Sequence, residues 1–290
     1  MPEARVGVLC MAYGSPRREE EIEVYYTHIR GGRRPSPEAL EELTRRYRAI
    51  GGSPLEAITR RQAQALGERL GLPTFVGMKH APPWIAEAAA EARAAGVRRL
   101  IGLPLAPHDA RMSLGGYERA LREAWPAEAG EMEFVRGFHD HPAFVEAVRA
   151  ILREALDGYQ PDRLFFTAHS LPARIVAEGD AYDQRMLESC RLVAEGMRLP
   201  PWEVAWQSAS TTGEPWLGPN LLEAVERSGA TKVLVCPIGF VADHLEVLYD
   251  LDIEAQEFAR QRGIELRRTP SLNDRPEFVE ALAAVVRDRL

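Results

Sequence analysis

The sequence predicts an α/β protein made of two similar open parallel-sheet domains with a cleft between them. Three observations lead there. The length, 290 residues, fits two units at roughly 150 residues each. Short apolar runs alternate with amphipathic stretches, the pattern of repeated βα units. Three sequence markers then recur in the same order in both halves. The expected units are 1–158 and 159–290, divided near Tyr159-Gln160-Pro161.

Each element has its own signal. Strands are expected at Val6–Met11, Thr74–Met78, Arg99–Leu103, Glu133–Gly137, Arg163–Thr167, Val204–Gln207, Lys232–Cys236 and Glu265–Arg268, all short and bounded by turn residues. Helices are expected at Glu19–His28, Pro37–Ile50, Ile58–Leu70, Pro83–Ala95, Gly115–Ala124, Pro142–Leu156, Ala181–Gly196, Leu221–Ser228, His244–Arg262 and Pro276–Leu290. Gly71, Gly96, Gly229 and Gly263 stand where helix C-termini give way to strands.

The markers pair as follows. VLCMAYGSP (8–16) matches LFFTAHSLP (164–172): a buried strand, Ala, a polar ring, and a loop closing on Pro. EARAAGVRRLIGLPL (91–105) matches EAVERSGATKVLVCPI (223–238), with the Gly-to-Pro distance eight in each. HDHPAFVEAV (139–148) matches NDRPEFVEAL (273–282). Ligands of such sheets bind beyond the carboxyl ends of the strands, which points to Tyr13 and His169 across one cleft.

Composition narrows the function classes. A net charge of −7 argues against a general nucleic-acid binder. The longest apolar stretch, Val233–Val241, is broken by Pro and Gly and is too short to span a membrane. The N-terminal residues show no secretory pattern, so a cytoplasmic location is expected. Three cysteines, Cys10, Cys190 and Cys236, are too few for a disulfide framework, and no CxxC pair is present for zinc or an iron–sulfur cluster. No GxGxxG or Walker-type loop is present.

One segment runs against the overall charge. From His28 to Arg61 there are eight arginines and four acids. Guanidinium forks grip carboxylates and phosphates with paired hydrogen bonds, so one reading is a dock for an anionic small molecule. The competing reading is a solvated helix face, since Glu41/Arg45 and Glu42/Arg46 have favourable i,i+4 spacing.

The second half carries the reactive candidates. His169 follows LFFT, and a strand buried on both faces is a rigid mount for a reactive ring. After Lys232–Cys236 come His244-x-Glu246 and then Asp250 and Glu254. On an α-helix Glu246, Asp250 and Glu254 form one stripe, which like-charge repulsion disfavours. The stripe reads as a cation path or as an exposed acidic face, and spacing leaves both open. Imidazole with carboxylate and no thiolate suits iron(II), manganese or zinc. HExxH is absent, and Ser170 lacks the GxSxG elbow of a nucleophile.

At these residues the sequence resembles the ferrochelatase family. The stretches are TAHSLPARIVAEGDAY (167–182), QSASTTGEPWLGPN (207–220) and PIGFVADHLEVLYDLDIEA (237–255). In the first half, LCMAYGSPRREEEIEVYYTHIRGGR (9–33) and RYRAIGGSPL (46–55) resemble the bacterial branch acting on coproporphyrin III. The similarity runs from about Val6 to the C-terminus. Ala181 stands where the family usually has Pro, and Asn220 where Asp is usual. Asp109 and Gly116 lie in a loop that varies.

The resemblance implies two Rossmann-like domains with a tetrapyrrole in the cleft. It implies His169 and Glu246 as the metal-inserting pair, Tyr13 as axial ligand of the inserted iron, and Asp250 and Glu254 as an outer metal ladder. It implies tetrapyrrole contacts at Arg30, Arg46, Tyr47, Ser53 and Tyr117. The expected reaction inserts Fe2+, a substrate, into coproporphyrin III in haem biosynthesis, with no permanent cofactor. A transient contact with the next haem-pathway enzyme is expected as well. The alternatives are a protoporphyrin IX ferrochelatase, a chelatase for another metal or macrocycle, and a tetrapyrrole carrier without chemistry.

Overall fold

A computed structural model describes residues 5–210 and 213–290. Residues 1–4, and Thr211 and Thr212 of the 207–220 stretch, lie outside the described residues. The first half runs β1 (Val6–Ala12), α1 (Ile22–Ile29), α2 (Pro37–Ala49), α3 (Leu55–Leu70), β2 (Thr74–Met78), α4 (Ile85–Ala94), β3 (Arg99–Pro104), α5 (Leu114–Ala124), β4 (Glu131–Phe134) and α6 (Pro142–Leu156). The second runs β5 (Arg163–His169), α7 (Arg174–Ala177), α8 (Tyr182–Ala194), β6 (Trp202–Gln207), α9 (Leu221–Ser228), β7 (Lys232–Cys236), α10 (Leu245–Leu248), α11 (Gln256–Gln261), β8 (Glu265–Arg268) and α12 (Pro276–Arg287).

The two halves have the same topology. One sheet is ordered β2-β1-β3-β4 and the other β6-β5-β7-β8, and every pairing is parallel. The three sequence markers fall on equivalent places: β1 with β5, α4–β3 with α9–β7, and α6 with α12. The central strands read as continuous apolar runs because helices cover both faces. Val8 to Met11 and Leu164 to Phe166 are fully buried. Each such side chain contributes roughly 1.5–3 kcal/mol by leaving water. A single apolar core extends from Val8 and Cys10 through Phe144 and Phe278 to Leu164 and Phe166, and α12 lies against α6 and α3.

Local chemistry sets the helix ends. Ser36 caps α2 by accepting from Ala39 N at 3.2 Å, with Pro37 in the first turn. Asn220 caps α9 by accepting from Leu222 N at 2.9 Å, the task an Asp would perform there. Gly71 and Gly229 close α3 and α9 in the left-handed region.

Three expectations need correction. β4 ends at Phe134 rather than Gly137, because the chain leaves the sheet after Val135 N donates to Gly102 O. His169 is the last residue of β5 rather than part of the following loop, because it still pairs with Gln207 of β6. The single helix 244–262 is instead α10, a π-helical turn over Asp250–Ala255, and α11. Glu254 N donates to Tyr249 O at 2.9 Å, an i→i+5 bond that widens the turn. The acidic stripe is thereby broken: Asp250 turns inward and is buried, while Glu254 stays exposed. No helix among the described residues is long and apolar enough to cross a membrane.

Candidate functional site

The end of β5 and the segment after β7 meet at one point. Gly239 makes the meeting possible. Its N–H donates to Thr167 O at 3.0 Å, and a Cβ there would stand 2.4 Å from the Ala168 Cβ. Beyond Gly239 the segment is pinned by Asp243, which accepts from Ser271 Oγ at 2.6 Å and Asn273 Nδ2 at 2.8 Å. Gln207 Nε2 then donates to the Glu246 carbonyl at 2.7 Å, tying α10 to the end of β6.

The result is a carboxylate between two imidazoles. Glu246 lies 3.5 Å from His169 Nε2 through one oxygen and 3.3 Å from His244 Nε2 through the other. His169 Nδ1 donates to the Ser170 carbonyl, and His244 Nδ1 donates to the Ala242 carbonyl at 2.9 Å. Both rings therefore turn Nε2 towards Glu246. Tyr182 supports the arrangement by donating from its hydroxyl to the His169 carbonyl at 3.0 Å.

Charge binds the three groups together. Burial alone lowers the basicity of His169, but the Glu246 carboxylate outweighs it and lifts the imidazole to about 9. His244 is raised in the same balance of burial against Glu246. Burial raises Glu246, yet the two imidazoles overcome it and hold the carboxyl well below its ordinary range. Among the described residues, no three His, Cys, Asp or Glu side chains form a closed ligand set. His169 and Glu246 are an open pair of donors of the type an iron(II) or zinc ion accepts.

Asp250 sits one step outward. Burial lifts its carboxyl to about 6, and Glu246 adds to the lift against Ser208 and Arg46. Ser208 donates its hydroxyl to Asp250 from a left-handed backbone conformation, φ 62°, which a non-glycine residue adopts at a cost. Arg46 lies 3.6 Å from Asp250 and 2.8 Å from Glu42, with its guanidinium 4.8 Å over the Tyr249 ring. Exposed Glu254 acts on Asp250 only through its charge.

The opposite wall comes from the first half. Tyr13 follows β1 and is 41% exposed, with its ring 4.4 Å from that of His80. Tyr47 and Tyr117 are buried. Burial raises the phenols of Tyr47 and Tyr117 above their ordinary range, and negative charge from Glu246 adds to the rise. Ser53 Oγ accepts from Leu55 N at 3.3 Å at the start of α3. Arg30 is exposed, its guanidinium 5.6 Å over the Tyr26 ring.

The arginine segment divides in two. Arg45, Arg46, Arg48, Arg60 and Arg61 pair with carboxylates within 3 Å. Glu42 serves both Arg45 and Arg46, so the expected Glu41/Arg45 pair gives way to Glu42/Arg45. Among the described residues, Arg30 and Arg33 face no carboxylate within salt-bridge distance.

Several residues at the site escaped sequence reasoning. His244 was visible in His-x-Glu, but nothing local indicated that its ring turns onto Glu246. Lys79 holds its ammonium 5.9 Å over the Tyr13 ring and 5.2 Å over Tyr117; its signal was that it is one of two lysines among 36 basic residues. Gln207 and Ser208 gave no signal beyond their place at a strand end. Cys10, Cys190 and Cys236 are buried free thiols, with Cys10 and Cys236 pushed up to about 12 by burial and correspondingly inert.

Comparisons with known proteins give the family and the fold. Residues 5–290 match the ferrochelatase family model. The chain is 40% identical over 306 residues to a coproporphyrin III ferrochelatase of Halalkalibacterium halodurans, covering 100% of this chain and 99% of that protein. It is 39% identical over 308 residues to the coproporphyrin III ferrochelatase of Bacillus subtilis, at 100% and 99% coverage. A ferrochelatase of Herpetosiphon aurantiacus is 39% identical over 300 residues, at 98% coverage of each. Among solved structures, SirB from Bacillus subtilis with Fe3+ superposes with a TM-score of 0.62 at 13% identity, covering 98% of this chain and 95% of that one. CbiX, described as the terminal enzyme of sirohaem biosynthesis in denitrifying bacteria, superposes with a TM-score of 0.57 at 15% identity, covering 98% and 99%. At such identities the likeness to both is one of fold.

Proposed function

The chain belongs to the ferrochelatase family, and on that premise we propose that it inserts Fe2+ into coproporphyrin III to give Fe-coproporphyrin III in haem biosynthesis. The observation that carries the reading is Glu246 held between His169 and His244.

Insertion strips water from Fe2+ and removes two protons from the macrocycle's pyrrole nitrogens. Glu246 attracts the cation and holds His169 protonated when no metal is near. An arriving ferrous ion replaces that proton on the pair, which leaves His169 able to accept one in turn. When the ion passes to the macrocycle, the freed His169 Nε2 accepts one pyrrole proton, releases it to solvent and accepts the other, while His244 keeps its proton and holds Glu246 in place. The pair is open rather than closed, so it passes the ion on instead of retaining it. Asp250, raised to about 6, is half-ionised near that pH and draws the cation inward from Glu254.

On the other face, Tyr13 holds the iron after insertion. Arg30 and Arg46 hold propionates, while Tyr47, Ser53 and Tyr117 shape the cleft that the macrocycle enters. In this scheme unit 1–158 grips the tetrapyrrole and unit 159–290 delivers the metal, with no resident cofactor and with hand-over of the product to the next enzyme in the cytoplasm.

The test is an anaerobic mixture with Fe2+ and either coproporphyrin III or protoporphyrin IX, followed by absorbance. Rapid conversion of coproporphyrin III with little conversion of protoporphyrin IX supports the proposal. Preferential conversion of protoporphyrin IX replaces the substrate, and binding without metallation of either leaves a carrier.

A further inference from the structure

Beside Tyr13 a second pair of imidazoles has no part in the scheme above. His28 on α1 and His80 after β2 face each other through Nδ1, 2.9 Å apart. The rings are nearly perpendicular, at 72°, with centroids 5.1 Å apart. Trp84 packs on His28 with centroids at 5.0 Å, and Tyr13 packs on His80 at 4.4 Å. His80 is further fixed by its N–H, which donates to the Tyr13 carbonyl at 2.9 Å. His28 is exposed, so solvent reaches the pair directly.

We propose that His28 and His80 form a second metal-binding site, taking a borderline divalent cation such as copper(II) or nickel(II) through their two Nδ1 atoms. Two nitrogens bound cis to one ion, each about 2.0–2.1 Å from it and about 90° apart, lie roughly 2.9 Å from one another. The rings already hold that separation. Without an ion, one Nδ1 donates to the other; with an ion, that proton moves to the ring's own Nε2, so both lone pairs turn to the metal and no net proton is lost. The pair supplies no carboxylate, and two neutral nitrogens select ions that prefer imidazole over those that prefer oxygen. Magnesium and calcium are excluded on that ground. The remaining coordination positions face solvent and the Tyr13 side of the cleft. If the chain acts as proposed above, the site places a cation beside Tyr13.

The test uses the full chain without porphyrin and one equivalent of Cu2+, read by electron paramagnetic resonance. The Glu246→Gln background weakens the His169 centre and isolates the second pair. The expected spectrum shows two imidazole nitrogens in this background. Adding His28→Ala removes one nitrogen from the signal and weakens Cu2+ binding at least tenfold, and His80→Gln does the same. His28 is exposed, so His28→Ala keeps the native circular dichroism and melting temperature. An unchanged nitrogen count and affinity in the His28→Ala and His80→Gln proteins overturns the proposal. Loss of the two-nitrogen signal on Glu246→Gln alone also overturns it, because the ion would then belong to the His169 centre.

Discussion

Nε2 of His169 stands 3.5 Å from the Glu246 carboxylate, although one residue ends a central strand and the other opens a helix two strands later in the chain. The contact makes each group's protonation depend on the other. His169 binds its proton more tightly than in the unfolded chain, about 9 against about 6.5. The stabilisation is therefore complete below about pH 6.5 and is lost as pH rises through about 9. NMR titration of the imidazole should give a midpoint well above the ordinary range. In Glu246→Gln the midpoint should fall towards or below 6.5, since burial then acts without the carboxylate. A midpoint indifferent to that substitution would separate the two residues.

His169→Ala should lower iron insertion by roughly 10²–10⁴-fold, the range for losing a positioned acid–base group. Porphyrin binding and the fold should be retained, because the ring ends a strand whose core lies behind it, with the melting temperature lowered below about pH 9 by loss of the contact with Glu246. Glu246→Gln should behave alike at constant shape. Insertion close to the wild-type rate in either protein would remove that residue from the reaction.

Gly239→Ala should damage the site from behind. The new methyl would meet the Ala168 Cβ at 2.4 Å, so the 237–246 segment must move off β5. A cost of about 1–3 kcal/mol in stability is expected for such overpacking. Activity should fall more than stability accounts for, since the movement opens the His169–Glu246 distance. Urea unfolding beside single-turnover insertion measures both. A stability loss with full activity in the folded fraction would show that the close approach serves packing alone.

Arg30→Ala and Arg46→Ala should raise KM for coproporphyrin III more than they lower kcat, because a propionate contact is alike in ground and transition states. A charge-assisted contact worth about 1.5–3 kcal/mol predicts roughly a tenfold to hundredfold rise. Arg46 lies 3.6 Å from Asp250, whereas Arg30 pairs with no carboxylate among the described residues, so Arg46→Ala should also alter metal dependence while Arg30→Ala should not. Equal affinity for coproporphyrin III and its propionate esters would show the segment to be a surface feature.

Tyr13→Phe should retain appreciable insertion but change the product. The ferric product bound to this variant should lose the charge-transfer absorption of tyrosinate-ligated high-spin iron. The same product spectrum as wild type would mean that Tyr13 only packs against the macrocycle.

The sequence by itself determined the architecture. All eight strands and the repeat were legible, because buried parallel strands and amphipathic helices write their periods locally. The family motifs likewise drew attention to His169 and Glu246 before any geometry. What lay beyond local pattern was decided by packing between distant segments. An α-helical period puts Glu246, Asp250 and Glu254 on one stripe; the π turn breaks it and separates buried Asp250 from exposed Glu254. Nothing near His244 says that its ring and that of His169 flank the same carboxylate, since that needs β5, β6 and β7 side by side and Gly239 against Ala168. The His28–His80 pair joins a helix to a strand end in the same way. A sequence records what each residue prefers as its surroundings, whereas the tertiary structure selects which partner supplies them, because contacts between distant segments exist only once the sheets have formed.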